Sequence, residues 1–478
     1  MNYGTVFNVI GKLLMTLGVM MLLPLAVAIY YGERASIVIF AVSAISTTLA
    51  GVALSIALKY EDEFGRREGF AIVALGWLVV TIFGAIPYLL FGLSSIDALF
   101  ESMAGFTTTG STILIDIESY TQSFLFWRSL TQWMGGMGII VLVLAIAPGL
   151  AIGGRQLFQA ETPGPSSDKL TPRLKATAEI LWIAYVLISV VEMVLLYLAG
   201  LPLYDAVTTT FSTMATGGFS PRGESIMAYH NPVVEMIVMI FMFIAGANFA
   251  LHYRALLIRK DSLIRDREFQ IYAGILIMAS LLIAADLTRG GLNFFESLRL
   301  STFQAVSIMT TTGFATTDFN QWGDFSRTVL FLLMFIGGCA GSTGGAIKVM
   351  RVSVIVKHGY MELFRMIHPR VVKPLRFGRR IISADVLRSI FAFIALYILA
   401  FVISTLILAG LGIDLVSSLS ASATTLGNVG PGFNLVGPME NFAGLPAIGK
   451  LVLLTNMWIG RLEVITVLVL FTPEFWKK

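Results

Sequence analysis

Uncharged apolar stretches of around 20 residues recur from one end of the chain to the other, and a stretch of about that length can span a bilayer. The first two cover roughly residues 6–31 and 35–58. Others lie near 70–92, 124–148, 178–200, 232–251, 270–288, 327–356, 385–411 and 447–471, which makes ten expected spans. Composition agrees: 56% of the 478 residues are hydrophobic and 13% are charged, against about 25% charged in an ordinary soluble chain. A soluble enzyme is excluded, and so is a peripheral protein with a single anchor. The opening stretch is longer than a signal-peptide core, so it reads as a retained span. One cysteine, Cys339, leaves no disulfide within the chain, and four scattered histidines make no metal cluster.

Charge placement orients the spans. If the ten simply alternate, most of the 33 basic residues fall on one side, in 59–67, 155–175, 254–267 and 348–388 and at Lys12, Lys477 and Lys478. Lys and Arg concentrate in cytoplasmic loops, so both termini are expected in the cytoplasm. The opposite side carries acids, among them Asp116, Glu118, Glu224, Asp318, Asp324 and Glu440. The basic segments 254–267 and 365–380 read as anchors near anionic lipid.

After the first two spans the chain repeats one plan four times. Between the spans of each later pair sits a segment too short and polar to cross. The first is Asp97-Ala-Leu-Phe-Glu-Ser-Met-Ala-Gly-Phe-Thr-Thr-Thr-Gly110, and the second runs from Asp205 to Thr216-Gly217-Gly218. The third ends Thr310-Thr311-Thr312-Gly313, and the fourth runs from Asp414 to Thr425-Leu426-Gly427. In three of the four an aspartate stands 13 residues before the glycine; in the third the nearest acid, Glu296, stands 17 before it. Each segment reads as a half-membrane helix, with the leading Asp as N-cap and the Thr/Gly end returning toward a common axis. Irregular backbone at that depth needs protein or water around it. Four such loops of carbonyls can replace the hydration shell of a monovalent cation.

The expected architecture is therefore an all-α integral membrane protein. Four parallel helix–pore loop–helix repeats surround a central ion pore, with two N-terminal transmembrane helices added. The expected divisions are 1–68 for the N-terminal pair, then 69–152, 153–268, 269–383 and 384–478 for the repeats.

These residues resemble the Trk/Ktr/HKT superfamily of cation transporters, and within it the TrkH type, over essentially the whole chain. The most specific stretches are Trp127-Arg-Ser-Leu-Thr-Gln-Trp-Met-Gly-Gly-Met-Gly138, Gly246-Ala-Asn-Phe-Ala-Leu-His252, Gly337-Gly-Cys-Ala-Gly-Ser-Thr-Gly-Gly345 and Gly460-Arg-Leu-Glu463. The extra N-terminal pair also matches the TrkH type and not the Ktr type. The resemblance implies a potassium-uptake subunit of a bacterial inner membrane, passing K+ and Rb+, with no further cofactor. It also implies a homodimer gated by cytosolic, nucleotide-binding TrkA-type subunits. The family's potassium-binding filter falls on Thr108-Thr109-Gly110, Thr216-Gly217-Gly218, Thr311-Thr312-Gly313 and Thr425-Leu426-Gly427. Gly110 stands where serine accompanies sodium preference in related plant transporters, which favours potassium. Gly217 and Leu426 depart from a plain Thr-Thr-Gly.

Two further features follow from physics and agree with the resemblance. Gly337, Gly338, Gly341, Gly344 and Gly345, with Ser342 and Thr343 between them, interrupt the second span of the third repeat. Each glycine weakens a helix by about 1 kcal/mol relative to alanine, so that span is expected to break; the resemblance implies that the broken stretch is a gate, with close packing through small residues as the alternative. Arg461 lies inside the last span, where a cation is costly and marks function by default. The resemblance implies a place on the pore axis, beneath the filter, where it would control passage; a buried pair with Glu463 or another acid is the alternative. Glu192 reads as a helix contact. Rival functions are a membrane enzyme, for which no catalytic cluster or phosphate loop is present, and an alternating-access carrier. A sodium- or proton-coupled symporter or a Ktr-like subunit is the nearer alternative.

Overall fold

The computed structural model describes residues 1–58, 65–138, 174–257, 261–369, 374–378 and 380–477. Within them the chain is helical apart from loops, turns and a hairpin pairing Arg376–Phe377 with Arg380–Ile381. Six stretches are long and apolar enough to cross a membrane: Tyr3–Tyr30, Arg34–Ala57, Arg67–Leu90, Leu181–Leu198, Arg267–Arg289 and Ala384–Gly410. Their outward faces are apolar, with Val38, Ile45, Leu49, Leu399, Ile403 and Leu406 all exposed. Such faces suit lipid.

The first two stretches pack backbone to backbone. A Cβ at Gly11 would lie 2.7 Å from the Gly51 carbonyl oxygen, and one at Gly51 would lie 2.6 Å from that of Gly11. Small residues permit this approach in a bilayer.

Among the described residues, the four segments with Thr/Gly ends form short helices, Ser95–Phe106, Leu203–Met214, Phe294–Met309 and Leu415–Gly427. Their starts correct the capping expectation. Only in the fourth does the leading acid cap the helix, Asp414 accepting from the Ser417 N–H. In the first, Ser94 caps by accepting from the Asp97 N–H, and Asp97 lies inside the first turn. Asp205 and Glu296 occupy the same first-turn place behind Pro202 and Asn293. An acid there meets the positive end of the helix dipole. The third helix has 16 residues where the others have 12, 12 and 13, which explains the longer spacing of Glu296 from its glycine.

In three of the four units the helix after the short helix is interrupted. Pro232–Ala245 and Phe249–Ala255 meet at 102°, and Ala447–Arg461 and Val464–Phe471 at 112°. Asp324–Leu333 is separated from Val349–Ile367 by an irregular stretch. Gln122–Gly136 ends before a left-handed Gly138 (φ 69°); the rest of that expected span, and the expected boundary at 152/153, lie outside the described residues. The expected spans at 232–251 and 447–471 are therefore each bent sharply at a short break.

The helices that follow the short ones link the units in a circle. Gln122–Gly136 packs on Leu203–Met214, Pro232–Ala245 on Phe294–Met309, and Ala447–Arg461 on Ser95–Phe106. The third link is made by the Met334 carbonyl, 2.8 Å from where a Cβ on Gly427 would stand.

Candidate functional site

All four short helices end in the same backbone device. A non-glycine residue adopts the left-handed region: Thr108 (φ 52°), Thr216 (54°), Thr311 (62°) and Asn428 (54°). The next residue's N–H reaches back five positions, from Thr109 to Ala104 O (2.9 Å), Gly217 to Ser212 O (2.8 Å), Thr312 to Ser307 O (2.9 Å) and Val429 to Thr424 O (2.8 Å). These are Schellman closures. One residue further on, Gly110, Gly218, Gly313 and Gly430 are again left-handed, at φ 80°, 78°, 83° and 111°. Left-handed residues alternating with ordinary ones turn successive carbonyls toward one side. A β-branched threonine in that region costs about 1–3 kcal/mol, a strain that clusters at functional sites.

The glycines close a ring. A Cβ on Gly110 would run into the carbonyl oxygen of Gly217, one on Gly218 into that of Thr312, and one on Gly313 into that of Val429. A Cβ on Gly430 would lie 2.9 Å from the Thr109 carbonyl oxygen, which returns to the first unit. The same four glycines line one open pocket, with Ser111, Phe219 and Pro431.

This geometry shifts the fourth stretch by three residues. Thr425, Leu426 and Gly427 are the last turn of the helix, and Asn428-Val429-Gly430 takes the place that Thr108-Thr109-Gly110 takes in the first unit. Leu426 is wholly buried in an apolar cluster. Asparagine tolerates the left-handed region better than most residues, which is the signal that identifies the register.

Polar side chains back the ring. Thr107 and Thr109 share a hydrogen bond of 2.7 Å, and Thr310 and Thr312 one of 2.8 Å. Asn428 Nδ2 donates to Thr109 Oγ1 at 2.9 Å and to Met457 O at 3.0 Å, joining the fourth unit to the first. Arg128 and Glu101, both buried, pair at 2.7 Å. Glu101 also accepts from Ile113 N (3.0 Å), and Arg128 donates to Ser220 O (3.2 Å) and lies 4.1 Å over the Phe219 ring. Sequence reasoning singled out neither partner. At the rim, partial burial raises the Asp414 carboxyl, but hydrogen bonds from Ser417 and Asn434 outweigh it and hold the group below its ordinary value.

Gly337, Gly338, Gly341, Ser342, Thr343, Gly344 and Gly345 lie together in the irregular stretch between Leu333 and Val349. The stretch is pinned against the ends of the second and third short helices. Gly345 N donates to Thr311 Oγ1 at 2.7 Å, and a Cβ on Gly344 would lie 2.9 Å from Thr310 O. The Thr343 hydroxyl donates to Met214 O (3.2 Å) and Ala245 O (3.3 Å), and Lys348 Nζ donates to Gly344 O. Glu268 Oε1 accepts from both flanks, Ala340 N (2.9 Å) and Met350 N (3.1 Å). Glu268 belongs to the missed residues, because nothing in its local sequence distinguishes it from a first-turn helix acid.

Arg461 crosses this arrangement. It donates to Thr343 O at 2.7 Å, to Gly135 O at 2.5 Å and to Gly136 O at 3.1 Å, tying the glycine stretch to the first unit. Glu463 pairs with Arg351 at 2.5 Å. Glu192 is buried within Leu174–Leu198.

Apolar spans around a ring of backbone carbonyls, with an irregular segment pinned across it, are the parts of an integral membrane transporter of small cations. The chain belongs to the TrkH family of cation transport proteins, whose family model matches residues 35–277 and 276–478. It is 38% identical to the Trk system potassium uptake protein TrkH of Salmonella typhimurium over 487 residues, covering 100% of both chains. It is 36% identical to TrkG of Escherichia coli over 483 residues, covering 99% of this chain and 98% of that protein. The crystal structure of the potassium transporter TrkH from Vibrio parahaemolyticus matches with a TM-score of 0.90 at 35% identity, covering 100% of both chains.

Proposed function

We propose that this chain takes up potassium across a bacterial inner membrane, passing the ion down its electrochemical gradient between the four loops. The observation that carries the reading is the closed succession of glycine and neighbouring carbonyl from Gly110–Gly217 round to Gly430–Thr109. Carbonyls held this way can stand in for the water around a monovalent cation. The names of the relatives, potassium uptake proteins of the Trk system, supply the ion. The filter residues are Thr108-Thr109-Gly110, Thr216-Gly217-Gly218 and Thr311-Thr312-Gly313, with Asn428-Val429-Gly430 completing the set in place of Thr425-Leu426-Gly427. The segment from Gly337 to Gly345 is the gate and Arg461 its latch, a reading supported by the bond from Arg461 to Thr343 O. Four parallel repeats in ten spans, cytoplasmic termini, a homodimer and cytosolic TrkA-type nucleotide-binding partners complete the proposal. They rest on the charge pattern and the family resemblance.

Expression in a bacterium stripped of its potassium-uptake systems tests the reading. Growth at low external potassium, lost on Gly110→Asp, is the expected result. A correctly inserted chain that restores no growth, alone or with a TrkA-type partner, contradicts it.

A further inference from the structure

The second loop lacks the hydroxyl pair that backs the first and third. Thr107 with Thr109, and Thr310 with Thr312, correspond to Ala215 and Gly217. The vacant space is filled from another unit. Gln132, wholly buried on Gln122–Gly136 of the first unit, donates from Nε2 to Gly217 O (2.7 Å) and accepts from Phe219 N at Oε1 (3.0 Å). Its amide thus grips the backbone on both sides of Gly218. A Cβ on Gly217 would run into the Gln132 amide carbon, so a side chain there would push the amide off its two backbone partners.

We propose that Gln132 is a specificity-determining residue of the second loop, taking over from the neighbouring unit the work that paired threonines do in the first and third. A carbonyl has two lone pairs. Gln132 occupies one on Gly217 and leaves the other, fixing the direction in which that oxygen faces an ion. The same oxygen abuts Gly110, so the grip also sets the spacing between the first and second loops. The departure of Gly217 from Thr-Thr-Gly is thereby compensated, not a weakness in the ring. This inference rests on the conduction reading above.

The test uses the full-length protein in liposomes, with the K+ to Na+ permeability ratio and the melting temperature measured on each variant. Gln132→Met keeps the bulk and removes donor and acceptor. Gly217→Ala keeps Gln132 but displaces its amide. Each should lower the ratio about fivefold, the equivalent of roughly one net hydrogen bond, while K+ still passes. Gln132→Ala combined with Gly217→Thr, which refills the space from the loop itself, should recover most of the ratio. Variants that melt earlier but keep the wild-type ratio would show Gln132 to be structural only and overturn the inference. A wild-type protein that passes K+ and Na+ equally leaves no specificity for Gln132 to set and overturns the inference; one that passes neither, alone or with a TrkA-type partner, overturns the conduction reading instead.

Discussion

Replacing Arg461 by alanine removes three donors at once, to Thr343 O at 2.7 Å, Gly135 O at 2.5 Å and Gly136 O at 3.1 Å. Hydrogen bonds from a charged group contribute about 1.5–3 kcal/mol each. The bonds to Gly135 and Gly136 hold the arginine, and the bond to Thr343 holds the glycine stretch. Losing the Thr343 bond therefore weakens the pinned position by roughly 1.5–3 kcal/mol relative to a displaced one. At about 1.4 kcal/mol per tenfold, the displaced population rises about ten- to a hundredfold. Removing the positive charge also lowers the electrostatic barrier to a passing cation, so the two effects act in the same direction. Potassium flux into liposomes at equal protein load is the assay. Arg461→Lys serves as comparator, since it keeps the charge but loses the planar fork that grips several carbonyls; it should fall between wild type and Arg461→Ala. Flux that is unchanged or lower in Arg461→Ala, at wild-type melting temperature, would refute the latch.

Three other outcomes follow from the same geometry. Deleting residues 341–345 removes the segment that spans from Thr311 to Arg461, and potassium flux in liposomes should rise; unchanged flux would separate the segment from gating. Glu268→Ala leaves the Ala340 and Met350 N–H groups unmet, which should lower stability by about 1–3 kcal/mol and raise flux, read by thermal melting and the liposome assay together. Arg128→Met leaves the buried Glu101 carboxylate uncompensated, at about 3–5 kcal/mol, whereas Arg128→Met with Glu101→Gln should recover part of that loss on the same melting assay.

The four short helices were legible because each is a short Thr/Gly segment between apolar stretches, and Gly337 to Gly345 advertised its break by glycine content alone. What escaped lay one step below periodicity. Asp97 and Asp205 looked like caps because Asp is a common one, yet Ser94 and Pro202 occupy the cap positions, and a first-turn acid leaves the same trace in sequence. In the fourth unit Thr424-Thr425-Leu426-Gly427 imitates the Thr-Thr-Gly of the others, but the helix runs through it and closes at Asn428. The breaks at 246–248 and 462–463 need only two or three residues, too few to interrupt a hydropathy pattern. Gln132 stood inside a quoted stretch without a role, because its partner, Gly217, is 85 residues away and offers only backbone.

Conduction between the four loops is tested by cation flux into liposomes holding the purified chain, compared for K+, Rb+ and Na+ with and without Gly110→Ser. Gly110 sits at φ 80° with the Gly217 carbonyl where a Cβ would go, and a side chain in the left-handed region costs about 1–2 kcal/mol. Passive K+ and Rb+ flux is expected, with Na+ excluded by the wild type and admitted by the variant. Equal K+ and Na+ flux in both proteins would contradict a filter built on the four glycines.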